Sequence, residues 1–238
     1  MNHSDSHNLG FALLAELYAA YNQLAQGQRW ACFAGCSVCC QTGRVLITTL
    51  EGRYLAEGLR RAGRDDLLRA AAAVPVEPAA RPASSFNALA RMCLARQEPP
   101  PAAGPEAAPG RCPLLQDDLC PVYDHRPLAC RTMVSAEVCA PGGQAVHDQW
   151  WITLATAFFQ LVEAADPAGL FGPLPAVLAA ESGAGWESRL VPCEPLPGLL
   201  APPEHQEGLS RALRPVFARP VRGRPLGLWL DEIRSNRP

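Results

Sequence analysis

Cysteines in two short stretches constrain this chain more than any other feature of its sequence. Seven cysteines lie in these two stretches: Cys32, Cys36, Cys39, Cys40, Cys112, Cys120 and Cys130. Thiolates bind zinc tetrahedrally and also hold iron–sulfur clusters, and short spacings allow one loop to present several sulfurs. Packing as small hydrophobic side chains explains many isolated cysteines, but it does not explain four within nine residues. The sequence therefore predicts that the two stretches converge on one metal or iron–sulfur site.

Seven thiolates are more than one mononuclear metal site can use. Cys40 follows Cys39 directly, and because neighbouring side chains diverge, the two are not expected to point at the same metal. Cys40 therefore indicates a second metal, a polynuclear cluster or a redox role. With His125 or Cys93 as an eighth ligand the set suits two metals, and it equally suits one 4Fe–4S cluster beside a separate zinc.

The composition excludes some classes of protein and indicates a reducing compartment. The 238 residues carry a formal net charge of −2, which argues against a protein that binds nucleic acid by neutralising phosphate charge. The first residues lack the positive region of a signal peptide, and no apolar stretch reaches the length of a membrane span. We therefore expect a cytoplasmic protein without a membrane or nucleic-acid partner, in which clustered thiols hold metal more often than they form disulfides.

Apolar periodicity predicts a mainly α domain with little or no sheet, in which metal joins two cysteine-rich loops. Helices are expected at residues 9–26, 50–62, 65–74, 86–94, 146–165, 173–181 and 204–213. The helix at 146–165 has the broadest apolar face and is predicted to be the centre of the core. Thr48 and Glu51 fit a capping box at the start of the second helix. Gly35 lies inside the first cysteine stretch, where a backbone turning around a metal benefits from access to positive φ.

We expect a single domain over residues 1–238. The metal-binding motif occupies about 30–135, and a Pro/Ala-rich linker at 98–110 interrupts it as an exposed insertion. A helical core at 146–182 and a Pro/Arg-rich tail at 184–238 follow. The end of the tail, from Arg214, is expected to pack loosely or to extend.

The cysteines and their neighbours resemble a known bacterial family. The matching motifs are Cys32-x₃-Cys36-x₂-Cys39-Cys40, Cys112-Pro-Leu-Leu, Cys120-Pro-Val-Tyr and Arg126-Pro-Leu-Ala-Cys130-Arg131. They are similar, over roughly residues 30–135, to the YkgJ-type CxxCxxCC family of zinc- or iron-chelating or iron–sulfur-cluster proteins. The resemblance implies that all seven cysteines are ligands, although Cys32 stands at a spacing of Cys-x₃-Cys where the family has Cys-x₂-Cys. A flagellin lysine methylase carries a similar motif, which implies a protein-modifying enzyme as an alternative.

Several residues near the cysteines have a structural interpretation beside the functional one. Arg126 and Arg131 are expected to offset the negative charge of bound thiolates and to donate N–H···S bonds, rather than to bind an anionic substrate. Tyr123 is expected to pack with its hydroxyl satisfied, and His125 to face solvent. Three further cysteines lie outside the motif: Cys93 is expected in the core, Cys139 is close enough in sequence to Cys130 to act as a resolving thiol or an extra ligand, and Cys193 is incidental.

These observations predict a protein that binds zinc or iron, with an iron–sulfur cluster of the 4Fe–4S type favoured, through a split cysteine site. Metal handling or electron transfer is the expected role, and the reaction stays unassigned. Two alternatives are a cluster-containing protein-modifying enzyme and a zinc-stabilised interaction module, for which a protein partner is required. The sequence has no phosphate-binding loop and no His-Glu-x-x-His motif.

Overall fold

The chain is mainly helical, with small antiparallel sheets, as the sequence predicts. The computed structural model describes residues 3–33, 35–41, 45–101, 110–140, 145–183 and 186–235. Within these ranges the helices are α1 (His3–Gln26), α2 (Thr49–Arg61), α3 (Asp65–Ala72), α4 (Phe86–Leu94), α5 (Leu128–Thr132), α6 (Gln149–Ala164), α7 (Leu174–Glu181), α8 (Pro203–Phe217) and α9 (Leu226–Ser235). The strands are β1 (Leu46–Thr48), β2 (Leu170–Pro173), β3 (Val191–Pro192), β4 (Pro220–Val221) and β5 (Arg224–Pro225).

Side-chain caps determine where three of the helices begin. Thr48 and Glu51 form the predicted capping box of α2, each satisfying an amide of the other. Ser85 accepts a hydrogen bond from the amide of Ala88 at the start of α4. Asp148 accepts from the amide of Trp151 and starts α6 at Gln149, three residues later than the apolar pattern suggested.

The larger cluster of buried apolar side chains surrounds α6, which confirms the prediction that this helix is central. Trp151, Phe158 and Leu161 of α6 are almost completely buried, and Tyr21 of α1 contacts both aromatic rings. Helices α1, α4, α5, α8 and α9 all pack against α6. None of the seven motif cysteines belongs to this cluster among the described residues.

The smaller cluster lies next to the cysteine loops. It is formed by α2, α3 and α7, and its half-buried members include Cys112, Cys120 and Cys130. The three strands β1, β2 and β3 form an antiparallel sheet in that order, with Ile47 opposite Gly172 and Phe171 opposite Val191. Asp166, just after α6, accepts hydrogen bonds from the Thr49 hydroxyl and the Leu50 amide, both at 2.7 Å, and so fastens α2 to the end of α6.

The end of the chain is ordered, so the expectation of a loose tail is wrong. β4 and β5 form a hairpin whose turn, Arg222 and Gly223, has positive φ at both residues, the pattern of a type I′ turn. Helix α9 follows and buries Leu226 and Leu230 in the larger cluster. The high arginine content masked an apolar spacing of three and four residues in α9.

Two further sequence predictions concern the chain's exposure. The linker residues 98–101 and 110 are exposed, as predicted, while residues 102–109 lie outside the described ranges. Among the helices that the structure describes, none combines the length and the apolar character needed to cross a membrane.

Candidate metal centre

The first cysteine stretch folds into a tight turn followed by one turn of 3-10 helix. Gly35 has a φ of 87°, in the left-handed region, as its place in the stretch predicts. Residues Val38–Gln41 form the 3-10 turn, and the Cys39 and Cys40 thiols are within hydrogen-bonding distance of each other. The two sulfurs therefore approach each other, although a 3-10 turn rotates successive side chains by about 120°.

A short hairpin shapes the second cysteine stretch. Gln116 and Leu119 exchange backbone hydrogen bonds of 3.0 and 2.7 Å, and the two residues between them, Asp117 and Asp118, both have positive φ. Aspartate tolerates this left-handed backbone better than most residues. The hairpin folds the chain back on itself, and the Cys112 and Cys120 thiols on either side of it come close enough to interact electrostatically.

Hydrogen bonds join the two cysteine stretches directly. The amide of Cys112 donates to the carbonyl of Cys40 at 2.7 Å. The Ser37 hydroxyl donates to a carboxylate oxygen of Asp118 at 2.9 Å. The two stretches therefore lie against each other, as the sequence predicts.

Glu51 positions the helix that carries Cys130. Its Oε1 accepts hydrogen bonds from the Tyr18 hydroxyl and from the amide of Leu128, the first residue of α5, both at 2.8 Å. Its Oε2 accepts from the amide of Thr48 at 3.0 Å. Burial raises the pKa of Glu51, and these hydrogen bonds oppose the shift. The sequence identifies Glu51 as a cap of α2, but the link to α5 is visible only in the folded chain.

Arg131 holds the backbone of the second stretch rather than a sulfur. It is only 6% exposed, and its Nε donates to the carbonyl of Arg126 at 2.9 Å. Its Nη2 donates to the carbonyl of Asp124 at 2.5 Å, and its guanidinium lies 4.2 Å from the centre of the Tyr18 ring. The hydrogen bonds that the structure gives Arg131 therefore go to two backbone carbonyls and to Asn22, at 3.3 Å, rather than to sulfur. Burial lowers the pKa of Arg131, and the charge of Cys130 opposes that shift, as expected of a cation beside a thiolate.

Five thiols form the centre of the site and are called the five-thiol group here: Cys39, Cys40, Cys112, Cys120 and Cys130. Burial raises the pKa of the thiols of Cys112, Cys120 and Cys130, and the charges of neighbouring thiolates raise those of Cys112 and Cys130 further. The hydrogen bond from the Cys40 thiol lowers the pKa of Cys39 to about 6, with a contribution from Arg126, and the same bond raises the pKa of Cys40. Thiolate charges thus oppose ionisation of Cys40, Cys112 and Cys130, and a bound cation would remove that opposition.

Arg126 brings positive charge to this group. Its charge lowers the pKa of the thiols of Cys39, Cys120 and Cys130. Its guanidinium lies 3.7 Å from the centre of the Tyr123 ring, and its buried Nε has no hydrogen-bond acceptor among the described residues. A buried N–H without an acceptor is costly, so this donor suits a negatively charged sulfur at the centre.

Cys32 and Cys36 lie at the edge of the site, beside a cysteine that the motif does not contain. Burial raises the pKa of the Cys32 thiol, and the charges of Cys36, Cys139 and Cys39 raise it further. The amide of Ala31 donates to the carbonyl of Ser135 at 2.8 Å, which places the segment containing Cys139 against the first stretch.

The side chains of the five-thiol group are of the type that binds a metal or an iron–sulfur cluster, although their sulfurs are not arranged as a coordination shell. Within the described ranges, no group of three or more His, Cys, Asp or Glu side chains is arranged so that it could hold a metal ion as it stands. The ten cysteines, all of which lie in those ranges, form no disulfide. Clustered thiols, next to an arginine whose Nε has no acceptor among the described residues, have the chemistry that zinc or an iron–sulfur cluster requires.

Two aromatic side chains near the centre differ from their predictions. His125 does not face solvent: its ring lies 5.1 Å from that of Tyr54 and fills the space over Gly58, where an added Cβ would be 2.4 Å from the His125 Cγ. Tyr123 is 58% exposed under the Arg126 guanidinium, so it is not a packing residue. Helix α2 receives the His125 ring because Gly58 has no side chain there.

The remaining cysteines lie on other parts of the fold. Cys93 is half-buried on α4. Cys193 is fully buried with Phe171 and Val191 in a small third cluster, and its amide donates to the carbonyl of Gly169 at 2.9 Å. The surroundings of Cys193 give it a packing role, whereas Cys93 belongs to none of the three apolar clusters of the described residues and so is not the core residue that the sequence predicts.

The fold and the site together define a mainly helical protein with a split cysteine centre. Comparisons with models of known families, with curated proteins and with solved structures find no match to this chain. The geometry of its own residues therefore carries the functional argument.

Proposed function

We propose that this protein binds a metal-containing group, an iron–sulfur cluster or zinc, through the five-thiol group. The observation that carries the proposal is the convergence of thiols from three segments, the 3-10 turn of the first stretch, the hairpin of the second and α5. Thiols gathered in this way resist ionisation without a metal, and a bound cation would favour their thiolate forms. Membership of the YkgJ-type family is part of the same proposal and rests on the cysteine spacing.

The surroundings of the thiols favour a cluster over a solvent-exposed metal. Cys112, Cys120 and Cys130 pack on buried apolar residues that include Leu114, Val122 and Ala129. An apolar shell and hydrogen bonds to sulfur are the two main means by which a protein tunes an iron–sulfur cluster. The Arg126 Nε supplies a donor for such a bond. We propose metal handling or electron transfer as the role of the bound group.

Metal analysis of anaerobically purified protein tests this proposal. Iron with visible absorption is expected for a cluster, whereas zinc in a colourless protein would identify a zinc site. The variant Cys130→Ser should lose the bound metal, and Cys93→Ser on α4 is the matched control that should retain it. Wild-type protein that contains neither iron nor zinc would overturn the proposal.

A zinc-stabilised interaction module is the second candidate, and exposed apolar side chains favour it. Phe33, Leu119, Tyr123 and Val138 are each between 57% and 80% exposed, and all four lie on the cysteine-bearing segments. Large exposed apolar residues that occur together are typical of a surface that binds a protein partner. Zinc without iron in the purified protein would favour this candidate.

A further inference from the structure

A cleft lined by tryptophan rings lies between the end of α1 and the start of α6, beside the segment that leads into the first cysteine stretch. Its volume is about 350 Å³, within the range of roughly 300–1,000 Å³ that is usual for small-molecule sites. Trp30 and Trp151 both line it, with ring centres 4.8 Å apart and planes inclined at 58°. Among the described residues that line the cleft there is no cysteine, so it is separate from the five-thiol group.

Hydrogen bonds hold the walls of the cleft in place. On one side, the amide of Ala136 donates to the carbonyl of Val146 at 2.7 Å, which joins two of the lining residues. The hydroxyl of the buried Ser135 accepts from the amide of Val146 at 3.0 Å. On the other side, the indole nitrogen of Trp30 donates to the carbonyl of Ala25 at 3.0 Å and fixes the ring against the end of α1. The cleft is therefore preformed, which lowers the cost of ordering it around a ligand.

The charge at the rim of the cleft favours an anion. Arg29 lines the cleft, is exposed, and has no ion pair or side-chain hydrogen bond among the described residues. Asp148 also lines the cleft, but its carboxylate accepts a hydrogen bond from the amide of Trp151 at 2.7 Å. That bond lies at the N-terminus of α6, where the helix dipole offsets negative charge. The charge available to a ligand is therefore the positive charge of Arg29, and the ring nitrogens of His147 add further polar groups.

We propose that this cleft binds a small aromatic carboxylate, whose ring packs on Trp30 and whose carboxylate pairs with Arg29. Planar rings pack on tryptophan in offset or edge-to-face contact. A carboxylate can accept two parallel N–H bonds from one guanidinium, which fixes the orientation of the ligand. An aromatic lining with a few polar groups is the usual composition of a ligand site. The inference goes beyond the proposed function and uses none of the cysteines.

Three related compounds test the ligand class on the wild-type protein. Isothermal titration calorimetry of the full chain measures the dissociation constants of indole-3-acetate, indole-3-acetamide and cyclohexylacetate. Indole-3-acetate should bind most tightly. The neutral acetamide should bind about three- to tenfold more weakly, because it lacks the charge that pairs with Arg29. Cyclohexylacetate should bind about two- to tenfold more weakly, because it has no aromatic ring to pack on Trp30.

A variant of Arg29 tests the role of its charge. Arg29→Gln should weaken indole-3-acetate by the same factor as loss of the ligand's charge, and it should leave the affinity for indole-3-acetamide unchanged. Arg69→Gln is the matched control, since Arg69 is an exposed arginine on α3 that does not line the cleft. Absence of binding by indole-3-acetate, equal affinities for the acetate and the acetamide, or equal effects of the two substitutions would each overturn the inference.

Nuclear magnetic resonance of the wild-type protein locates the bound ligand without relying on a variant. The indole N–H signals of the five tryptophans are assigned by substitution and followed during titration with indole-3-acetate. The signals of Trp30 and Trp151 should shift, whereas those of Trp186 and Trp229, which do not line the cleft, should stay in place. Shifts confined to Trp186 or Trp229 would place the ligand elsewhere and overturn the inference. Metal analysis of the same samples reports on the proposed function independently.

Discussion

At the scale of single residues, Glu51 connects the core to the cysteine centre. Its two oxygens accept hydrogen bonds from Tyr18, Thr48 and Leu128, all of which are donors. The carboxylate is 2% exposed, so each of these bonds forms away from water. One side chain therefore caps α2, fastens α1 and fixes the first turn of α5, which carries Cys130.

Glu51→Gln should destabilise the protein by about 1–3 kcal/mol, because the new amide nitrogen cannot accept and leaves a buried N–H unsatisfied. Urea unfolding of the metal-free protein measures the change. Glu57→Gln is the matched control on the same helix, since Glu57 forms an exposed ion pair with Arg61 at 2.9 Å and should cost less than about 0.5 kcal/mol. Equal effects of the two substitutions would contradict this role of Glu51.

Local sequence patterns predicted the residues of the site better than their surroundings. The capping box of Thr48 and Glu51 is a pattern within four residues, and it is present as predicted. The niche for His125 requires Gly58, which lies on another element, and no local pattern relates the two. The sequence predicts that Arg131 donates to thiolates, whereas the backbone acceptors that it has depend on how the preceding loop turns.

At the scale of elements, the C-terminal hairpin and α9 are part of the larger core. Trp229 donates from its indole nitrogen to the carbonyl of Val221 at 2.9 Å, which closes the hairpin onto the helix. Arg219 donates to Glu16 of α1 at 2.8 Å. The apolar spacing of α9 is present in the sequence, but proline and arginine on both sides made the segment resemble a tail.

Leu230→Ala should destabilise the protein by about 2–5 kcal/mol, because it removes a buried side chain and leaves a cavity against the larger cluster. Leu228→Ala, two residues earlier and 48% exposed, is the control and should change the free energy of unfolding by less than about 0.5 kcal/mol. Chemical unfolding followed by tryptophan fluorescence measures both. If Leu230→Ala is as mild as its control, α9 does not pack as described.

At the scale of the whole molecule, the two apolar clusters differ in their dependence on the cysteines. The larger cluster around α6 contains none of the motif cysteines among the described residues. The smaller cluster includes three of them at its edge, so part of its packing rests on side chains that a metal would hold. The helical pattern of the sequence predicted the first cluster, because each helix shows its own apolar face. The second depends on contacts between segments far apart in the chain, such as the hydrogen bond from the Leu174 amide to the Val45 carbonyl, which no local pattern contains.

Removal of the metal should therefore loosen one side of the molecule without unfolding it. At a free metal concentration a hundred times the dissociation constant, binding adds about 2.7 kcal/mol to the free energy of unfolding. For a chain of this size, that gain raises the melting temperature by about 5–10 °C. A chelator should abolish this gain and speed amide hydrogen exchange in Val38–Gln41 and α5, while exchange in α6 stays slow. The double variant Cys40→Ser/Cys112→Ser should melt at the temperature of the chelated protein and should not respond to the chelator. If the chelator instead leaves the melting temperature and the amide exchange of the metal-loaded protein unchanged, the site is held together without metal, by the hydrogen bonds between the stretches. These run from the Cys112 amide to the Cys40 carbonyl and from the Ser37 hydroxyl to Asp118.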